Sequence, residues 1–535
     1  MLLEKFPNEI FQLIINHFVT AVGIYKAVCF RSVNKAFDAA IFHAICIVQV
    51  LDIDDPGTPK LSQRMPATLK GQILLIKSFS DQVNRDATLL AIARLNRILD
   101  GLAQATGEQQ IRQHRIIAEA AAHWYPRCPW YNGGEEPEMN EQDILSGAVV
   151  LGDLRLVKTI LEERSPAFAN INVGSPYIGR PLQVAAAWGH THIVRYLLDN
   201  GADPHLDQDD RDWEPNLHLP FALDGDPDRS PRGSALRVAV LNAHEDIIQS
   251  LLQPEHCIST SNVEYFYIIV AAGQIGHLGL VRTLMEATGK SLRDFPGLGE
   301  AMMQNAAYYD QLCVLQMLLD SGMDVNAEPI TMGADFGNAL YLAAQKGRSH
   351  IVRFLLERGA DVNHILNHAG SGYEQAIGIA ARGGFTEVVD ILLAHGADPV
   401  KAFRCAADWG QAHLLKWLSM RDPQLHLKPW TDFHDEPVGV CALLRAIVNK
   451  NPAVITLLVD IGVPINYGAE DELPIYLAKN LAADWIVDLL LSLGAEDKEV
   501  DLRDRHEGYD EDDSGCMLRG EIRLSKRTWE WVGRY

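Results

Sequence analysis

The feature that most constrains what this chain can fold into is a recurring helical hairpin. Its clearest copy spans residues 337–363, Gly-Asn-Ala-Leu-Tyr-Leu-Ala-Ala-Gln-Lys-Gly-Arg-Ser-His-Ile-Val-Arg-Phe-Leu-Leu-Glu-Arg-Gly-Ala-Asp-Val-Asn. Leu340, Ala343 and Ala344 fall at i, i+3 and i+4, one face of a short helix. Ile351, Val352, Leu355 and Leu356 do the same after Gly347. Gly347 and Gly359 stand where helix ends need a left-handed residue, which glycine adopts at little steric cost. Asn338 is placed to cap the first helix through its side-chain oxygen. A single hairpin of this size has too little core to fold alone and needs neighbours.

The neighbours are legible in the same sequence. The first alanine-like position of the motif recurs at Ala148, Ala185, Ala239, Ala272, Ala306, Ala343, Ala380, Ala406, Ala446 and Ala478, with spacings of 37, 54, 33, 34, 37, 37, 26, 40 and 32. The second-helix ending recurs before Gly201, Gly322, Gly359, Gly396, Gly462 and Gly494. This resembles the ankyrin repeat, whose approximate form is Thr-Pro-Leu-His-x-Ala-Ala-x-x-Gly-His, a Val/Leu-rich helix, then Gly-Ala-Asp. The best copies are 181–203, 339–361 and 377–398, and the resemblance covers residues 142–497 in about ten units. It departs at Val149, Val240 and Ile447, which stand in place of the second alanine, and the units near 402 and 473 lack a clean opening. The fold it implies is an all-α solenoid of helix-turn-helix repeats. The function it implies is protein binding on an extended concave surface, with Trp188, Tyr308, Tyr341 and Trp409 as candidate contacts on or near first helices.

The expected organisation is a small helical module at 1–45, a helical bridge at 46–125, a linker at 126–141, the array at 142–497 and an acidic tail with an aromatic end at 498–535. In the first module, Pro7 suits a first helical turn, and Ile10, Leu13, Ile14 and Phe18 form an apolar stripe. Phe6-Pro7-x-Glu9-Ile10, followed by Val33-Asn34-Lys35-x-Phe37, resembles the F-box pattern. Lys26 and Ala27 stand where that pattern has Asp-Leu, and Phe37 stands for its Trp. An F-box-like start ahead of ankyrin repeats is similar to the order of many fungal proteins. The resemblance implies docking to the small adaptor of a cullin-RING ubiquitin ligase, with Pro7, Ile10, Ile14, Phe18, Val33 and Phe37 as contact or support positions. The alternative is that these helices only cap the array, since open repeat ends need covering. Three further apolar-faced helices are expected at 69–79, 86–102 and 109–124.

The net charge is −23, and it is uneven: residues 1–125 hold 13 basic and 11 acidic residues, the remainder 34 and 59. An acidic array argues against nucleic acid, because phosphate neutralisation needs a basic face. Eight scattered cysteines without a Cys-x-x-Cys pair support neither a disulfide framework nor zinc, and point to reduced, mostly buried thiols in a cytoplasmic or nuclear protein. The start lacks a signal-peptide pattern, and no uncharged apolar run reaches membrane-spanning length. The 54-residue spacing contains an insertion at 204–233 with seven aspartates and five prolines; it lacks the pattern of a calcium loop. His364 and His368 lack the Glu of a His-Glu-x-x-His site, no Gly-x-Ser-x-Gly elbow occurs, and Gly297-x-Gly299 is followed by no Gly-Lys-Ser/Thr. Asp203, Asp324, Asp361 and Asp398 recur at each helix exit, which marks them as turn formers rather than an acid pair. No catalytic group, cofactor or metal site is expected.

Overall fold

The computed structural model describes residues 7–22, 35–46, 71–72, 74–76, 87–124, 141–163, 170–206, 233–295, 297–328, 337–365, 375–430, 437–467, 474–497, 517–518 and 522–523. Val33, most of the acidic insertion, the linker and nearly all of the tail lie outside these residues. Helices dominate; a two-residue ribbon, β1 (Met517–Leu518) and β2 (Ile522–Arg523), pairs antiparallel near the end of the chain. No described helix is long and apolar enough to cross a membrane.

The chain divides into two compact units. The first comprises Met1–Ile275 with Gly279–Gly289, the second Gly276–Leu278 with Lys290–Tyr535. The first unit opens with α1 (Asn8–Val22) and α2 (Lys35–Cys46), which pack on each other. Their core is Phe11, Ile15 and Val19 from α1 against Ala40, Ile41, Ala44 and Ile45 from α2. Gln12 ties the pair by donating from Nε2 to the Ala40 carbonyl at 2.9 Å. Next come α3 (Ala87–Ala103) and α4 (Glu108–Trp124), close to the expected 86–102 and 109–124. A buried polar knot joins them: Asp100 Oδ2 accepts from Gln110 at 2.6 Å and meets His114 Nε2 at 2.8 Å.

Four helical pairs follow in this unit: α5 (Glu141–Leu151) with α6 (Leu154–Lys158), which runs on as a π-helical turn at Thr159–Glu163; α7 (Pro181–Ala187) with α8 (Thr191–Asp199); α9 (Ala235–Leu241) with α10 (Glu245–Leu251); and α11 (Val263–Gln274) with α12 (Leu278–Thr288). The second unit carries six: α13 (Leu298–Tyr308) with α14 (Leu312–Asp320), α15 (Ala339–Gln345) with α16 (Ser349–Glu357), α17 (Ala376–Arg382) with α18 (Thr386–Ala394), α19 (Pro399–Asp408) with α20 (Ala412–Arg421), α21 (Val438–Val448) with α22 (Pro452–Asp460), and α23 (Pro474–Asn480) with α24 (Asp484–Ser492). Many of these helices have only seven residues, too few to persist alone, so packing holds them. Within each unit the first helices stack in one row, α5–α7–α9–α11 and α13–α15–α17–α19–α21–α23. Second helices form an outer row against them.

Three local devices repeat along both stacks. Each of the ten ruler alanines is fully buried, because a neighbouring helix lies where a longer side chain would go. Between the helices of each pair sits one left-handed residue, at Gly152, Gly189, Ala243, Gly276, Asp310, Gly347, Gly384, Gly410, Lys450 and Ala482. Six are glycine; the other four hold a conformation that costs a side-chain-bearing residue about 1–2 kcal/mol. At the outer turns, Asp203, Asp324, Asp361 and Asp398 each accept from the backbone N–H two residues on, at 2.8–2.9 Å, which is the turn-forming role their recurrence implies. Asn338 Oδ1 likewise accepts from the Tyr341 N–H at 2.9 Å and caps α15.

Adjacent pairs are stitched across the same inner turn. In the first unit, His190 donates from Nε2 to the Val150 carbonyl, and His244 to the Ala187 carbonyl, both at 3.1 Å. A carbonyl can only accept, so Nε2 carries the proton. The His190 ring lies against Gly152, where an added Cβ would come within 2.6 Å of it. In the second unit, Gln411 makes the same stitch to the Arg382 carbonyl at 2.8 Å.

Candidate protein-binding surfaces

Both α3 and α4 pack on α5, with Leu95 and Leu99 against Gly147, so they cover the open apolar face of the first pair. The covering role that an array end requires is thereby filled by 87–124. On α1 the buried stripe is Phe11, Ile15 and Val19, a register shifted by one from the expected Ile10, Leu13, Ile14 and Phe18. Helix α1 is apolar on two sides, and periodicity alone does not say which side faces in. Its other side leaves Ile10 44% and Leu13 53% exposed. Pro7 is exposed, Ile14 and Phe18 are half-buried, and Phe18 packs against the small core. Phe37 also packs there, meeting Phe11 edge-on at 5.5 Å, so it supports the pair from within. Val33 lies outside the described residues.

The four aromatic residues expected to line the array separate by burial. Tyr341 is buried with its ring packed over Gly337, and Tyr308 is buried beneath Lys346, whose Nζ lies 4.0 Å from the ring centroid. Both serve packing first; an aromatic ring on a first helix has a neighbouring first helix to fill. Trp188 is half-buried at the end of α7. Trp409 is different: it ends α19 with its side chain 55% exposed, and the Arg382 guanidinium stacks 3.7 Å from its ring centroid.

Arginines missed by the sequence reading complete this region. Asp408 lies between Arg445, 3.2 Å from its Oδ1, and Arg404, 4.0 Å from its Oδ2. Burial pushes the Asp408 carboxyl above its ordinary range, while Arg445 and Arg404 pull it back down. Arg404 in turn lies 4.8 Å from the ring centroid of Trp430, which is buried in the connection before α21. The signal available in the sequence was an i, i+4 pair, Arg404 and Asp408, with Arg445 one repeat on.

Of the cysteines with described side chains, Cys441 is buried, Cys257 and Cys405 are half-buried and Cys313 is exposed, so the expectation of mostly buried thiols does not hold for these four. Among the described residues no group of three or more His, Cys, Asp or Glu side chains is placed to hold a metal ion.

Comparison with known families fits this geometry. Residues 180–210 match the family described as ankyrin repeat. Residues 268–365, 305–403 and 340–428 match the family described as ankyrin repeats, in three overlapping copies. The chain carries ankyrin repeats. The matched segments cover the pair α7–α8 and the run from α11 to α20. Among solved structures, the human ASB11 ankyrin repeat domain is similar at 20% identity, covering 36% of this chain and 84% of that one, with a TM-score of 0.30. The ankyrin repeats support a role as a protein–protein interaction scaffold, and the exposed Trp409–Arg382 stack lies within the matched run.

Proposed function

We propose that this protein is a non-enzymatic binding scaffold that works as a substrate receptor: α1 docks the small adaptor of a cullin-RING ubiquitin ligase, and the ankyrin array selects the target. The observation that carries the first half is the division of labour at the N-terminus. Helices α3 and α4 cover the first repeat pair, and α1 keeps Ile10 and Leu13 in solvent. Ile10 and Leu13 stand three residues apart on one helical face, so a single partner surface can cover both. Pro7 at the head of α1 extends the same exposed face. The Phe11–Ile15–Val19 side gives α1 a rigid seat on α2, so a partner would meet a preformed helix.

The test is co-purification of the full chain with the purified adaptor, beside an Ile10→Asp/Leu13→Asp variant. Both positions are exposed, so the variant keeps the α1–α2 core. Stoichiometric capture that the variant loses is the expected result. Failure of the unaltered chain to bind at micromolar concentrations overturns the receptor role and leaves a plain ankyrin scaffold.

A further inference from the structure

The second unit separates charge between its two rows of helices. Its six second helices carry seven acidic residues and three basic ones; its six first helices carry five basic and two acidic. This occurs in a chain of net charge −23. The basic excess gathers near the C-terminal ends of the first helices. Lys346 and Arg382 are exposed there at the ends of α15 and α17, and Arg404 and Arg445 flank the single carboxylate Asp408. Lys346 and Arg382 are thus the exposed cations of this edge, while Arg404 and Arg445 are mostly buried around Asp408. Aromatic groups alternate with them: Tyr308 under Lys346, Trp409 against Arg382, Trp430 beside Arg404.

We infer that this edge, from Lys346 through Arg382 to Trp409, binds an extended acidic peptide segment of a partner protein that also carries an aromatic or proline side chain. The inference rests on the scaffold reading and adds the chemistry of the partner. Stacked helices lie roughly 9 Å apart, so the two steps from α15 to α19 span about 18 Å, or about five residues of extended chain. Lys346 and Arg382 stand one step apart, a spacing that suits carboxylates two or three residues apart. Arg382 covers one face of the Trp409 ring, and the ring's exposed part gives an apolar or proline side chain a flat seat. The guanidinium is held over the ring in advance, so a carboxylate meets an oriented donor fork. Single-stranded nucleic acid also uses cations and aromatic plates, but it needs a continuous basic track, which two exposed cations on an acidic chain do not provide.

The full chain, immobilised, is panned with a library of random twelve-residue peptides displayed on phage, in parallel with an Arg382→Glu/Trp409→Ala variant and a Lys346→Glu variant. All three altered residues are exposed, and retained adaptor co-purification and an unchanged melting curve check that the variants fold. The expected result is enrichment of acidic sequences carrying an aromatic residue or proline. Recovery on the double variant falls at least tenfold, and binding of selected peptides weakens from 50 to 300 mM salt. No enrichment, or enrichment of basic sequences, overturns the inference. Equal recovery on the double variant also overturns it, while leaving the scaffold reading intact with a binding site elsewhere. Tighter binding of a fluorescent dT12 oligonucleotide than of any selected peptide would assign the edge to nucleic acid instead.

Discussion

The two stacks follow the same backbone plan and treat an inner-row arginine in opposite ways. In the first, Arg237 lies 4.9 Å from the ring centroid of Tyr267 and 3.2 Å from Glu264, and the ion pair is buried. Glu264 also accepts from the Ser234 N–H at 2.8 Å, so it works as a packing piece between α9 and α11. In the second, Arg382 stacks on Trp409 in the open. The fully buried alanines, the left-handed turn and the inter-repeat stitch are common to both stacks and build the fold. The side chain two positions after the ruler alanine is not constrained by that plan, and there the stacks diverge: Ala187 in one, Arg382 and Asp408 in the other. The shared positions therefore build the fold and leave position two free to vary.

The comparison can be broken first at the shared positions. Ala185→Leu in the first stack and Ala343→Leu in the second should each cost about 3 kcal/mol, because a fully buried alanine between helices leaves no room for the longer side chain. Denaturant unfolding checks this, and tolerance in either stack would mean that its helices do not pack as closely as the other's. Asp408→Asn should cost about 2–3 kcal/mol, by leaving two mostly buried guanidinium groups without their carboxylate. Glu264→Gln should cost a similar amount in the first stack. Trp409→Ala, at an exposed position, should stay within about 0.5 kcal/mol of the parent, which separates binding from stability at that edge.

A pH difference sharpens the contrast. Burial holds the His190 imidazole below its ordinary value of 6.5, His192 and His244 add to that, and the hydrogen bond to Val150 opposes it. The folded state therefore resists protonation more than the unfolded chain does. The first stack keeps this contribution above about pH 6.5 and loses stability as pH falls below that value. Gln411, at the equivalent stitch in the second stack, does not titrate. Hydrogen exchange at pH 7.5 and 5.5 should show the loss around α5–α8, and His190→Gln should remove it while keeping the bond to Val150. The smallest effect is at the left-handed turns. Ala243→Gly and Lys450→Gly should each stabilise by up to about 1 kcal/mol, since both residues hold a positive φ of 54°.

Much of this was legible in the sequence, for identifiable reasons. Ala148 through Ala478 recur because close helix packing admits little else, so their spacing traced every pair. Asn338 and the turn aspartates act locally, and local chemistry can be read from a few residues. Other features depend on what lies opposite. Phe11, Ile15 and Val19 could not be told from Ile10, Leu13, Ile14 and Phe18 as the inward side of α1, because both sets are apolar at helical spacing. Tyr308, Tyr341 and Trp409 looked equivalent, and only the packing of neighbouring helices made two of them core and one surface. Ala243, Asp310, Lys450 and Ala482 carry no glycine to announce the left-handed turn they adopt.

The most direct test of the account is hydrogen–deuterium exchange of the full chain with and without saturating purified ligase adaptor. The expected result is slowed exchange in peptides covering residues 7–20, with the array from 141 to 497 unchanged. Unchanged exchange across 7–20, or protection confined to the array, would contradict the assignment of α1 as the docking helix.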